Sequence, residues 1–129
     1  MAVVALVVDD SMVIRHTISR FLEERGFVVE SASNGVEALE AVEHLHPGLV
    51  FTDMQMPHMG GSEFIDALKS KPHTAHIPIV IITGHASGLA GKESRAQFTI
   101  FKDIDIQEQL EKAMTALGWK SAAAQASGK

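Results

Sequence analysis

Apolar positions along this chain come in two textures. Short unbroken runs, Val3–Val8, Phe27–Val29, Leu49–Thr52, Ile79–Ile82 and Thr99–Phe101, alternate with longer stretches in which apolar residues recur at helical spacing. A strand that is apolar at every position is buried on both faces, which suits a parallel sheet covered by helices on each side. Between the runs, Ile14, Ile18, Phe21 and Leu22 mark a first helix, with Gly26 as its stop signal. Asn34 followed by Glu37 is a capping-box pattern and opens a second helix carrying Val36, Leu39 and Val42. Phe64, Ile65 and Leu68 mark a third after Gly60-Gly61. Asp105 with Glu108 caps a last one bearing Ile106, Leu110, Met114 and Leu117. Strands alternating with helices over short connections predict an α/β fold, a single doubly wound parallel sheet of five strands.

One stretch breaks the rhythm. Gly84 to Gln97 should hold a helix between the fourth and fifth strands, yet it contains Gly84, Gly88 and Gly91. Each glycine in a helix interior costs about 1 kcal/mol relative to alanine. Leu89 is also the only large apolar residue there before Phe98. The expected fourth helix is short, frayed or absent.

Composition narrows the function. With 129 residues and 46% of them hydrophobic, the chain is one domain's worth with a well-buried core. Residues 1–118 are assigned to that domain, and 119–129, which includes the Ala/Ser/Gly-rich Ser121–Lys129, to a tail or linker. The absence of cysteine excludes disulfides, thiolate metal sites and a cysteine nucleophile. The net charge of −5, without any run of Lys or Arg, argues against direct nucleic-acid binding. The N-terminal apolar run has no basic flank and is broken by Asp9-Asp10, so no signal peptide or membrane span is expected, and a cytoplasmic location is. His73 and His76, among seven histidines, fit a solvated loop better than a metal site.

The chemistry sits at the strand ends. The first run ends in Asp9-Asp10, the third in Asp53, the fourth in Thr83 and the fifth in Lys102. In an open parallel sheet the carboxyl ends of neighbouring strands face one crevice, where ligands bind. Three carboxylates packed together repel one another unless a cation compensates. Oxygen ligands without thiolate point to Mg²⁺, or Mn²⁺ in its place. With the cation bound, Asp53 would attack a phosphoryl donor to form an aspartyl phosphate. Lys102, the Thr83 hydroxyl and the backbone N–H groups of Met54 and Gly84 would neutralise the transferring oxygens.

These residues resemble the receiver domain of bacterial two-component response regulators, with its CheY-like, flavodoxin-like fold. The resemblance covers about residues 3–117 and rests on Val-Val-Asp9-Asp10-Ser, Asp53-Met-Gln-Met-Pro57-His-Met-Gly-Gly61, Ile-Ile-Thr83-Gly84 and Phe-Lys102. It implies the strand order 2-1-3-4-5. Asp53 would be the phosphoacceptor, Asp10 a direct metal ligand, Asp9 a ligand through water, and the backbone carbonyl of Gln55 the third protein ligand. Thr83 and Lys102 would sense the phosphoryl group. Implied partners are a sensor histidine kinase or phosphotransfer protein upstream, and a downstream protein target or fused output domain, with no membrane involved.

The chain departs from the family pattern in three places. Asp103 follows Lys102 where the family usually has proline, often in a cis peptide. The family's switch aromatic lies three residues before the lysine, where this chain has Thr99, with Phe98 one step earlier. In an extended strand that single step turns a side chain to the opposite face unless a bulge intervenes. Finally, the Thr83-to-Lys102 stretch is short and glycine-rich. Intact phosphoacceptor chemistry with a nonstandard output face is the leading expectation. A phosphorylation-independent pseudo-receiver, acting as an interaction module, is the alternative. A haloacid-dehalogenase-type phosphatase would need Asp-x-Asp after the first strand, and Asp9 and Asp10 are adjacent.

Overall fold

Successive residues of the buried strands divide their side chains between two separate cores, which explains why their sequence reads as continuous apolar runs. A computed structural model describes residues 3–56, 59–84, 96–102 and 105–118. In chain order the elements are β1 (Val4–Val8), α1 (Met12–Glu23), β2 (Val28–Ala32), α2 (Gly35–Leu45), β3 (Leu49–Asp53), α3 (Gly61–Lys69), β4 (Ile79–Thr83), β5 (Phe98–Phe101) and α4 (Ile106–Ala116). All strand pairs are parallel, in the order β2-β1-β3-β4-β5. This is the order implied by the resemblance. Ala5 and Val7 of β1, Leu49 and Phe51 of β3, and Val80 and Ile82 of β4 pack with α1 and α4 on one side. Leu6 and Val8, Val50, and Ile79 and Ile81 pack with α2 and α3 on the other. At about 1.5–3 kcal/mol for each large apolar side chain fully buried, these two layers dominate the stability.

The caps follow the sequence signals with one change of partner. Ser11 accepts from the Ile14 N–H, and Asn34 from the Glu37 N–H at 2.9 Å. The Glu37 carboxylate, however, reaches back to the N–H and hydroxyl of Ser33 rather than to Asn34, so only half of the expected box forms there. Asp105 accepts from Glu108 N–H at 3.2 Å. After α1 the chain reverses through Gly26 at φ 91, where a side chain would be strained.

β2 starts one residue later and ends three residues later than the apolar run Phe27–Val29 predicts. It is an edge strand, and the exposed Glu30 and Ser31 extend it past the last residue of the apolar run. β5 pairs with β4 without interruption from Phe98 to Phe101, leaving no bulge. Phe98 and Ile100 therefore share the α1/α4 side of the sheet, and Thr99 projects to the other. The expected short or missing helix falls on residues 85–95, outside the described residues, as do the Lys102–Asp103 peptide and the tail from 119. Among the described residues no helix is long and apolar enough to cross a membrane.

Candidate functional site

The predicted residues meet because parallel strands end together. β1 stops at Val8, so Asp9 and Asp10 lie just past its end and both are free to face the crevice. Asp53 is the last residue of β3 and Thr83 the last of β4; Lys102 follows the last residue of β5. The β3–β4 register pairs Asp53 with Ile82, one residue before Thr83. The Lys102 N–H donates to the Thr83 carbonyl at 2.8 Å, which ties the lysine to the threonine across the strand pair.

Asp9, Asp10 and Asp53 each offer a carboxylate oxygen, and these lie within 4.8 Å of one another. Asp9 is fully buried, Asp53 nearly so, and Asp10 exposed at the mouth. One oxygen of Asp9, Oδ1, accepts from the Ser11 N–H at 2.8 Å. Lys102 Nζ lies 2.9 Å from Asp9 Oδ2 and 3.1 Å from Asp53 Oδ2, with 22% of the lysine side chain exposed. The Lys102–Asp53 contact is a well-aligned hydrogen bond. The contact to the buried Asp9 Oδ2 is a close ion pair, and among the described residues no hydrogen-bond donor other than this ammonium reaches that oxygen.

Burial pushes the Asp53 carboxyl above the usual carboxylate range, and the Asp9 charge pushes in the same direction. Lys102 and the Gln55 N–H, at 3.4 Å from Oδ1, offset this only in part. For Lys102, burial by itself favours the neutral amine. Its contacts with Asp9 and Asp53 outweigh that and lift the ammonium above its ordinary value. The ammonium is thus a fixed positive charge between two acids that would otherwise repel.

A divalent cation fits this donor set. The oxygens are hard, they come from three carboxylates, and the buried Asp9 Oδ2 is met by the Lys102 ammonium, a positive charge whose place a Mg²⁺ ion can take. Gln55 follows Asp53 on the β3–α3 connection and is exposed. The Met54 N–H donates to the Ile82 carbonyl at 3.3 Å, so it is already engaged. Gly84 is exposed, and a Cβ built there would touch nothing within 4 Å, leaving open space beside Thr83. His73 and His76 are both exposed, and among the described residues the one candidate metal group contains no histidine.

Three supporting residues have roles that the sequence alone does not reveal. The Arg15 guanidinium donates to the Asp9 carbonyl at 2.6 Å and braces the turn that carries both acids. Gly61, which reads as part of a turn, is a packing requirement: a Cβ there would collide with the Asp53 carbonyl and come within 2.8 Å of Met54 Cα. Gly35 plays the same part at the other end of the loop, where a Cβ would lie 2.8 Å from the Met59 carbonyl. The glycine pair clamps the connection that follows Asp53.

The model of the response regulator receiver domain matches residues 5–114. Response regulator MprA of a Mycobacterium species is 32% identical over 120 residues, covering 91% of this chain and 51% of that protein. A protein-glutamate methylesterase/protein-glutamine glutaminase of Paramagnetospirillum magneticum is 45% identical over 83 residues, covering 63% of this chain and 22% of that protein. This chain therefore spans about half, or less, of such relatives. Among solved structures, chemotaxis response regulator CheY4 of Vibrio cholerae superimposes with a TM-score of 0.79 at 27% identity, covering 90% of this chain and 99% of that one.

Proposed function

This chain belongs to the response regulator receiver domain family, and from that premise we propose that it is a phosphorylation switch whose acceptor is Asp53. The observation that carries the reading is the Lys102 ammonium lying against both Asp53 and Asp9 in a pocket of three convergent carboxylates. A carboxylate oxygen of Asp53 attacks phosphorus, and the bond from phosphorus to the donor breaks with its electron pair leaving on the donor. The donor is a phosphohistidine of a kinase or phosphotransfer protein, or a small acyl phosphate. Asp9, Asp10, Asp53 and the Gln55 carbonyl would hold Mg²⁺, which supplies charge neutralisation of the phosphoryl oxygens when bound. Lys102 moves from bridging two acids to pairing with the incoming phosphoryl group. The Thr83 hydroxyl lies at the neighbouring strand end as a further donor, and Gly84 leaves room for the group.

Thr99 occupies the position where the family pattern puts an aromatic, and the unbroken β5 register keeps Phe98 on the other face. We read the output face as nonstandard for that reason. An aromatic rotation at this strand on phosphorylation would refute that part. The main reading is tested by intact mass after incubation with acetyl phosphate and Mg²⁺. One phosphoryl group, absent with chelator and absent in Asp53→Asn, is expected. No adduct, together with no beryllofluoride binding, would instead make the chain a phosphorylation-independent interaction module.

A further inference from the structure

β5 is an outer strand, so half of its backbone groups have no neighbouring strand to pair with. Lys102 turns its N–H inward to Thr83. The residue before it in a parallel strand turns outward, and Phe101 therefore presents both its N–H and its carbonyl to the open edge. One side chain takes both. Gln109 Oε1 accepts from the Phe101 N–H at 2.9 Å, and Gln109 Nε2 donates to the Phe101 carbonyl at 2.8 Å. The same Nε2 is 3.2 Å from the Asp105 carbonyl. A single carboxamide stands in for a sixth strand and grips the chain on both sides of the connection that contains Lys102.

The grip is anchored. Gln109 is half-buried in α4, and its neighbour Leu110, with Ala113 and Met114, is locked in the core shared with β5. Glutamine offers a neutral donor and acceptor side by side on one carboxamide; asparagine is one methylene shorter, and the two ring nitrogens of a neutral histidine point apart. Lys102 in turn makes contacts that leave little tolerance, 2.9 Å to one acid and 3.1 Å to the other, from the end of a flexible four-carbon stem. Where that stem starts is set by the backbone at residues 101 and 102.

We propose that Gln109 is a positioning residue for Lys102: its two-point clamp on Phe101 sets where the ammonium stands and so tunes affinity for the phosphoryl group. The inference rests on the reading of Lys102 as the phosphoryl partner. It assigns to α4 a role in the chemistry, exerted through β5 without touching the reacting atoms.

The test uses the full chain as wild type, Gln109→Leu and Gln109→Glu. Mg²⁺ alone, and then beryllium fluoride in the presence of Mg²⁺, are titrated by calorimetry, with thermal melting alongside. Gln109→Leu should bind Mg²⁺ as well as wild type or better, because a displaced ammonium competes less for the acids. Its beryllofluoride affinity should fall about tenfold, less than the roughly hundredfold that a full ångström of misplacement can cost a reaction. Gln109→Glu keeps the bond from the Phe101 N–H but sets a carboxylate oxygen against the Phe101 and Asp105 carbonyls, so its loss should be at least as large; it also decides the matter if the leucine variant does not fold. Amide exchange at Phe101 should accelerate in the leucine variant. Unchanged beryllofluoride affinity with an accelerated Phe101 amide overturns the proposal. So does a parallel loss of both affinities with a lowered melting temperature, which would make Gln109 merely structural. A wild type that binds Mg²⁺ but no beryllofluoride would instead bring down the phosphoryl reading on which the proposal stands.

Discussion

Replacing Lys102 by methionine removes one charge and keeps most of the stem, which makes Lys102→Met a direct probe of the site's electrostatics. The ammonium touches a fully buried acid, Asp9, at 2.9 Å and a nearly buried one, Asp53, at 3.1 Å. Removing one partner of a buried ion pair costs about 3–5 kcal/mol, because the remaining charge is left uncompensated. Lys102 sits at the rim with part of its side chain in water, so a loss of about 2–3 kcal/mol at neutral pH without divalent ions is expected. The pH dependence has a definite sign. Burial and the Asp9 charge already hold Asp53 above the usual carboxylate range in the folded protein. Between the unfolded and folded values the folded state holds a proton that the unfolded state has lost, so stability falls as pH rises through that window. Without the ammonium the window extends further upward, and the deficit against wild type should grow with pH and shrink in acid. Mg²⁺ should bind more tightly to the variant and restore most of its stability, even as phosphorylation fails. Urea denaturation over a pH series that starts below the ordinary aspartate value of about 3.9 and runs up to about pH 8, with and without Mg²⁺, measures all three effects. A variant as stable as wild type at neutral pH, or one that binds Mg²⁺ more weakly, would refute this account of the pocket.

Asp53→Asn mimics the protonated carboxyl that the folded pocket favours. It should raise the melting temperature at neutral pH, flatten the fall in stability above the carboxylate range, and abolish the acetyl phosphate adduct in intact mass. Gly61→Ala forces a methyl against the Asp53 carbonyl and Met54 Cα. Chemical denaturation should show a loss of about 2–3 kcal/mol, and calorimetry weaker Mg²⁺ binding as the acceptor strand shifts. Thr74→Val leaves the Leu68 carbonyl without the buried hydroxyl that donates to it at 2.5 Å. A loss of about 1–2 kcal/mol is expected in denaturation, with phosphorylation unaffected because the bond lies at the far end of α3.

Sequence legibility varied with how local each determinant is. The central strands were plain because burial on both faces demands unbroken apolar runs, and β1, β3 and β4 lie within a residue of where those runs place them. The end of β2 is not legible in the apolar run because an edge strand can carry Glu30 and Ser31 in the open. The half-formed cap at Asn34 shows the same limit on a smaller scale: the spacing to Glu37 was visible, whereas the nearer donors of Ser33 were not. Gly60-Gly61 announced a turn, yet the reason for glycine at 61 is the approach of α3 to the end of β3, a contact between segments.

By itself the sequence determined which residue types reach the carboxyl ends of the strands. Alternation of runs and helices defines where strands stop, and a parallel sheet makes those stops coincide. Asp9, Asp10, Asp53, Thr83 and Lys102 were assembled on that logic alone. The tertiary structure decided how they meet: that Asp9 is the buried acid and Asp10 the exposed one, that the ammonium bridges Asp9 and Asp53, and that β5 runs without a bulge, turning Phe98 away from Thr99. It also decided the supports, Arg15 on the Asp9 carbonyl and Gln109 on the Phe101 peptide. The physical reason is that period and burial are properties of a segment and are written along it. A hydrogen bond from a helix side chain to a strand's outer edge exists only once separate segments have packed at a fixed distance and angle.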